Sequence, residues 1–279
     1  MMPAPTNTPE PHDAGLAADM PLFLNRRHIV LGLGLVGVSA AAYSYLSAGE
    51  VNLVGTSADG AICLKDPVET SGPFPGDGTN TKDGQTVNAL TQSGVVRQDI
   101  RPSFGAMSGV AEGVQFDLEI TVVDVGVACK PLSGHAVYIW HADASGHYSL
   151  YDVVDQNYLR GVGVSDDQGR VKFTTVLPPC YDGRWPHIHF EVFATLDTAV
   201  SGDQSLLISQ FALPQDVVSA VYAVDARYTG SSDKLAKVAI ATDMVFGDNT
   251  AEQLKSQTLV LTGDATTGFS ARGVIGIVA

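Results

Sequence analysis

Residues 114–122 read Val114-Gln115-Phe116-Asp117-Leu118-Glu119-Ile120-Thr121-Val122, and this stretch decides the fold. Val114, Phe116, Leu118, Ile120 and Val122 alternate with mostly polar residues, the period of a strand with one face in a core. Further β-type runs follow at Ala136–Trp140, 171–176, His187–Phe193, 206–211 and 258–261, with another near the C-terminus. Turn chemistry separates them at Pro131-Leu132-Ser133-Gly134, Asp166-Asp167-Gln168-Gly169 and Asp182-Gly183. One helix is expected from about Pro214, where Val217, Val218, Val221 and Tyr222 fall on one face and Pro suits a first turn. Residues 49–113, rich in Gly, Thr, Ser, Asn and Asp, read as a long loop-rich approach to the core. Short strands without βαβ alternation predict an all-β, antiparallel β-sandwich with long loops and one or two short helices. With no internal repeat and no linker, 49–279 reads as one catalytic-size domain.

The chain has 279 residues and a formal net charge of −14, which argues against a nucleic-acid or anionic-membrane partner. Residues 1–48 read as an address rather than as structure. A polar extension leads to Asn25-Arg26-Arg27-His28-Ile29-Val30 and then to the weakly apolar run LGLGLVGVSAAAY. Twin arginines ahead of such a run fit a Tat-type export signal, giving a periplasmic, extracellular or membrane-tethered protein. If uncleaved, 28–46 is about long enough to anchor the chain in a bilayer. The three cysteines, Cys63, Cys129 and Cys180, permit one bridge. An oxidising destination favours Cys63–Cys129, because Cys180 stands beside a candidate ligand.

The chemistry concentrates in Cys180-Tyr181-Asp182-Gly183-Arg184-Trp185-Pro186-His187-Ile188-His189-Phe190-Glu191-Val192. In a strand His187 and His189 share a face about 6–7 Å apart, close enough for two imidazoles to converge on one ion. Ile188, Phe190 and Val192 imply that the strand is covered on both faces. An isolated pair of this kind is as readily two core histidines satisfied by hydrogen bonds. Tyr181, six residues before His187, and Tyr148, in the Gly-containing segment after Ala136–Trp140, add two phenols. Phenolates are hard anionic donors that favour ferric iron, whereas a zinc or ferrous site would use His187, His189 and a carboxylate such as Asp182 or Glu191. A non-catalytic β-sandwich binding module is the remaining alternative. His135, His141 and His147 are expected at exposed loops or strand ends, His147 nearest the site. Asp182 and Glu191 are expected on the surface, Trp140 and Trp185 in core or pocket wall, and Tyr138, Tyr151 and Tyr158 in core or rim.

From Ser71 onward the chain resembles the intradiol ring-cleavage dioxygenases, the family of catechol and protocatechuate dioxygenases. The resemblance rests on four blocks in order. These are Ser71-Gly72-Pro73-Phe74; Val137 to Asp143 with Gly146-His147-Tyr148-Ser149; Arg160-Gly161 through Phe173-Thr174-Thr175; and Tyr181 with Arg184-Trp185-Pro186-His187-Ile188-His189. The Tyr181-to-His187 spacing and the leader look most like the exported single-chain members. The resemblance implies one non-haem Fe(III) per chain on Tyr148, Tyr181, His187 and His189. It also implies that both atoms of O2 are inserted into a catechol-type ring to give a muconate-type diacid. Tyr181 would then be the displaced tyrosinate that takes a catechol proton, Arg184 the cation beside the ring, and Gln210 a hydrogen-bond partner. Ser71 and Phe74 depart from the family's usual Glu and Tyr, and Cys180 departs too. The pairing of two chains as a homodimer is left open.

Overall fold

The computed structural model describes residues 54–56, 62–202 and 204–279. The expected leader, anchor and Tat signal at 1–48 lie outside the described residues. Thirteen strands follow one another among the described residues. The first four are β1 Val54–Thr56, β2 Ile62–Leu64, β3 Asp77–Lys82 and β4 Gln85–Asn88. Then come β5 Gln115–Asp124, β6 Lys130–Pro131, β7 Ala136–Trp140, β8 Arg160–Val164, β9 Arg170–Val176 and β10 His187–Phe193. β11 Leu207–Ala212, β12 Val260–Asp264 and β13 Gly268–Ile277 complete the set. The helices are α1 Leu196–Ser201, α2 Gln215–Val224, α3 Ser231–Leu235 and α4 Ala251–Gln257.

Two sheets form the sandwich, one in the order β11-β10-β7-β8 and one in the order β12-β13-β5, with β9 and the short β6 sharing the other edge of β5. Phe116, Leu118, Ile120 and Val122 of β5 meet Val137 and Ile139 of β7 and Ile188, Phe190 and Val192 of β10 in one buried cluster. Each such Leu, Ile or Phe contributes about 1.5–3 kcal/mol of burial. The opposite face of the four-stranded sheet carries Ala136, Tyr138 and Trp140 in a second cluster with Tyr148 and Tyr151. The site sits on this second face, which the long loops cover. β10, buried at every position, is therefore covered on both sides as expected.

Three details differ from the sequence expectation. Four short α-helices occur rather than one or two. α1 and α4 are each fixed by a capping box, Thr195 with Thr198 and Thr250 with Gln253, signals too short to stand out beside the valine stripe of α2. One strand pair is parallel, β13 running with β5 from Phe269 opposite Phe116 to Ile277 opposite Asp124. The approach segment also contains two hairpins; β3 and β4 turn through Asp83-Gly84, both at positive φ, the geometry a two-residue hairpin loop requires. Cys63 and Cys129 are bonded and Cys180 is a buried free thiol, the pairing expected. The bridge closes 66 residues, a constraint worth about 2–4 kcal/mol.

Beyond the bridge, residues 66–76 form a strap that leads to the site. Asp66 N donates to Gly276 O at 2.9 Å, and Asp66 Oδ2 accepts from Gly276 N at 2.7 Å. Asp66 Oδ1 has no hydrogen-bond partner among the described residues. Burial pushes the Asp66 carboxyl up to about 7 against the Gly276 N–H, and Glu69 adds to the rise. Burial likewise lifts Glu69 to about 7. Because the folded value of Asp66 lies above its unfolded value of about 3.9, folding takes up a proton. The stability it contributes is complete below that unfolded value and is lost as pH rises through 7. Asp66→Asn is expected to flatten part of the fall in Tm between about pH 4 and 7, Glu69 keeping the rest. Parallel pH profiles for parent and variant would contradict this.

Candidate metal centre

Strand periodicity sets the first two donors. In β10 the even residues face the sandwich core, so His187 and His189 project together toward the loops. β10 lies between β7 and β11, with His189 opposite Trp140 on one side and Gln210 on the other. The His189 ring stacks on Trp140, centroids 4.8 Å apart and 6° from parallel. Gly72, at φ +69°, lies over the same ring; a Cβ there would come within 3.3 Å of His189 Cε1. This is the physical reason for glycine in Ser71-Gly72-Pro73-Phe74.

The loops deliver the other two. Tyr148 N donates to Asp152 Oδ2 at 2.7 Å, which closes the segment after β7, and Phe74 packs on the Tyr148 ring at 4.9 Å. Tyr181 follows Cys180 in the turn before β10, where Arg184 N donates to Tyr181 O at 3.4 Å. Tyr148 is 2 % exposed, whereas Tyr181 is half-buried.

The four donor atoms form a closed ring of near-equal sides. Tyr148 Oη is 3.3 Å from Tyr181 Oη and 3.2 Å from His189 Nε2. Tyr181 Oη is 3.1 Å from His187 Nε2, and the two Nε2 atoms are 3.0 Å apart. Donors that share one ion at about 2.0–2.1 Å stand roughly this far from one another. His187 Nδ1 donates to Trp185 O at 2.5 Å, leaving Nε2 as a lone pair aimed at its neighbours. Burial, followed by the nearby Arg184 charge, holds His187 well below the usual histidine range. Burial and the His187 charge do the same for His189. Burial, with Tyr181 adding to it, keeps the Tyr148 phenol well above its ordinary value. Two imidazole nitrogens and two tyrosine oxygens therefore converge on one point. Among the described residues no group of three or more His, Cys, Asp or Glu could hold a metal. Asp182 is exposed beside Lys234, 4.0 Å away. The donor set fits a ferric ion and leaves a carboxylate-completed zinc or ferrous site without its third ligand.

Behind the donors lies a buried polar network. Arg184 Nε donates to Asp243 Oδ2 at 3.1 Å and Nη2 donates to Gln210 Oε1 at 2.7 Å. Gln210 Nε2 donates to Thr70 O of the strap at 3.0 Å. Asp243 also accepts from the backbone N–H groups of Trp185, Val245 and Phe246 at 2.7, 2.9 and 3.1 Å. Burial alone would raise the Asp243 carboxyl; the Arg184 charge and the Trp185 N–H outweigh it and hold it below its usual value. Arg184 and Gln210 thus meet beside the histidines. The ion pair that fixes Arg184 runs to Asp243, which sequence reasoning missed because it lies 59 residues away with no motif around it.

Other expectations are corrected. Glu191 is buried, since it shares the covered face of β10 with the histidines. His141 is buried as well, its Nδ1 2.7 Å from Ala142 O and Nε2 2.8 Å from Thr175 Oγ1. His147 is exposed, its backbone N–H donating to Asp143 Oδ1 at 3.1 Å and its carbonyl accepting from Asp143 N at 2.8 Å. Trp140, Trp185, Tyr138, Tyr151 and Tyr158 are buried, as expected.

A family model described as Dioxygenase matches residues 105–243, a span that contains all four donors, Arg184, Gln210 and Asp243. A 6-chlorohydroxyquinol 1,2-dioxygenase of Cupriavidus pinatubonensis is 33% identical over 88 residues, covering 25% of this chain and 32% of that one. The match thus spans about a third of that relative's length. An intradiol ring-cleavage dioxygenase structure from Tetranychus urticae shares the fold, with a TM-score of 0.56 and 21% identity over 77% of this chain and 94% of that one. With its four-donor ring on a β-sandwich, the chain belongs to the family of intradiol ring-cleavage dioxygenases.

Proposed function

We propose that the protein is an Fe(III)-dependent intradiol dioxygenase that inserts both atoms of O2 into a catechol-type ring to give a muconate-type diacid. The observation that carries this reading is the ring of two phenol oxygens and two Nε2 atoms with sides of 3.0–3.3 Å. Tyr148, Tyr181, His187 and His189 would hold one ferric ion, which when bound supplies Lewis acidity toward a chelating catecholate and visible tyrosinate charge-transfer colour. The remaining roles belong to the chain itself. Tyr148, locked between Phe74 and His189, stays in place. Tyr181 has the more exposed side chain of the two, and as a tyrosinate its Oη would take up a catechol proton. Arg184 is a fixed cation, oriented by Asp243 and Gln210 before any substrate arrives, and it stabilises charge developing on the attacked ring carbon. Phe74, Gly72 and the stacked Trp140 exclude water from the donor side.

Iron-loaded protein is expected to be burgundy, to contain one iron per chain and to consume O2 with a member of a catechol panel. The panel should include a hydroxyquinol, for which the Cupriavidus relative is named. A pale protein without oxygen uptake on any catechol would overturn the reading. Tat export, suggested by Arg26-Arg27 ahead of an apolar run, is part of the proposal. Replacing both with Lys should strand folded protein in the cytoplasm, and normal export of that variant would refute it.

A further inference from the structure

Arg160 is 1 % exposed, and no ion pair among the described residues involves it. Its guanidinium is instead spent on carbonyls and hydroxyls. Nε donates to Ser149 Oγ at 3.0 Å and Nη2 to Ser149 O at 2.9 Å. Nη1 donates to Pro75 O at 2.7 Å and to Tyr138 Oη at 3.2 Å. The two backbones gripped in this way are not arbitrary. Ser149 directly follows Tyr148, and Pro75 directly follows Phe74, whose ring packs on Tyr148. One planar fork therefore holds the chain that carries the phenol and the wall that presses on it.

Three further observations point the same way. Gly76, at φ +62°, leaves room for the guanidinium; a Cβ there would stand 2.9 Å from Nη1. Leu150 and Leu159, at φ +68° and +55°, hold left-handed backbone beside Ser149 and Arg160. That conformation is disfavoured for leucine and persists where surrounding contacts over-determine it. Ser149 Oγ, besides accepting from Arg160, donates to Tyr158 O at 2.6 Å, which closes the segment on itself. A buried cation without a carboxylate is costly, so a purely space-filling residue would serve packing better.

We infer that Arg160 is a positioning residue that sets where the Tyr148 oxygen stands relative to His189 and Tyr181, by clamping Ser149 and Pro75 on either side of the phenol. The inference rests on the ferric reading above. Its test uses the full-length iron-loaded protein, with Arg160→Lys and Ser149→Ala compared with the parent. Lysine keeps the charge but cannot span Ser149 and Pro75 together. Arg160→Lys should retain one iron per chain and a similar KM, with a displaced, broadened visible band and kcat lower by about 10- to 100-fold, the scale of a misplaced reacting group. Ser149→Ala, which removes only the Nε acceptor, should displace the band in the same direction by less. It decides the matter if the lysine variant does not fold. A merely structural arginine would lower Tm and leave band and kcat as in the parent, and that result in the folded variants overturns the inference. A colourless parent overturns the ferric reading and this inference with it, so the two failures are told apart by the parent alone.

Discussion

Tyr148→Phe is expected to yield folded protein that has lost most of its iron and its visible band. The change removes one oxygen and keeps the ring, so the packing against Phe74 and His189 survives. What disappears is a corner of the donor ring, the atom 3.3 Å from Tyr181 Oη and 3.2 Å from His189 Nε2. Losing only an outer-shell partner of a metal ligand typically costs about 10–100-fold in metal affinity, so losing a ligand should cost more. His189→Ala should do the same with a larger structural penalty, because it also unstacks Trp140. Metal analysis and a visible spectrum on each purified variant decide the question. Full iron and full colour in both would remove these residues from the site.

Arg184→Gln should keep iron, and added catechol should still shift the visible band, while kcat falls by about 10²–10³-fold, the scale of one preorganised electrostatic contact. The buried pair with Asp243 complicates this variant, because removing one partner of such a pair costs about 3–5 kcal/mol. Asp243 keeps three backbone N–H partners, which limits the damage. The double variant Arg184→Gln with Asp243→Asn resolves the ambiguity. It removes the unpaired charge but turns an amide NH2 toward a backbone N–H, so it should recover part of the lost Tm at most and none of the lost turnover. Turnover restored along with stability would reduce Arg184 to a structural role, and turnover unchanged in the single variant would remove it from the reaction.

The parts of this molecule that the sequence disclosed are those with a local signature. The alternation from Val114 to Val122 and the bounds of β7 and β10 were legible because a period of two needs only neighbouring residues. Tyr148, Tyr181, His187 and His189 are named as a set through resemblance and converge in the fold, and Gln210 lies opposite His189 because β11 pairs with β10 there. What stayed hidden depends on distance along the chain. Asp243 is an ordinary acidic residue until the fold carries it to Arg184. Glu191 reads as a surface carboxylate from its residue type alone, although the covering of β10 on both faces, inferred from Ile188, Phe190 and Val192, already places it inside. The parallel pairing of β13 with β5 leaves no trace in either strand, because a strand's own pattern does not record its partner's direction.

That pairing has a kinetic consequence. β5 is the apolar centre of its sheet, and one entire edge is supplied by β13, with Phe269 opposite Phe116 across about 150 residues of chain. Closing so long a loop costs entropy before any contact rewards it, so the sheet should assemble slowly and late. Until β13 arrives, β5 presents an open edge of alternating Phe, Leu, Ile and Val, which is a template for intermolecular pairing. A variant truncated before Gly268 should therefore fail by aggregating rather than by losing a tail, and chaperone dependence during synthesis should track the interval in which that edge is bare.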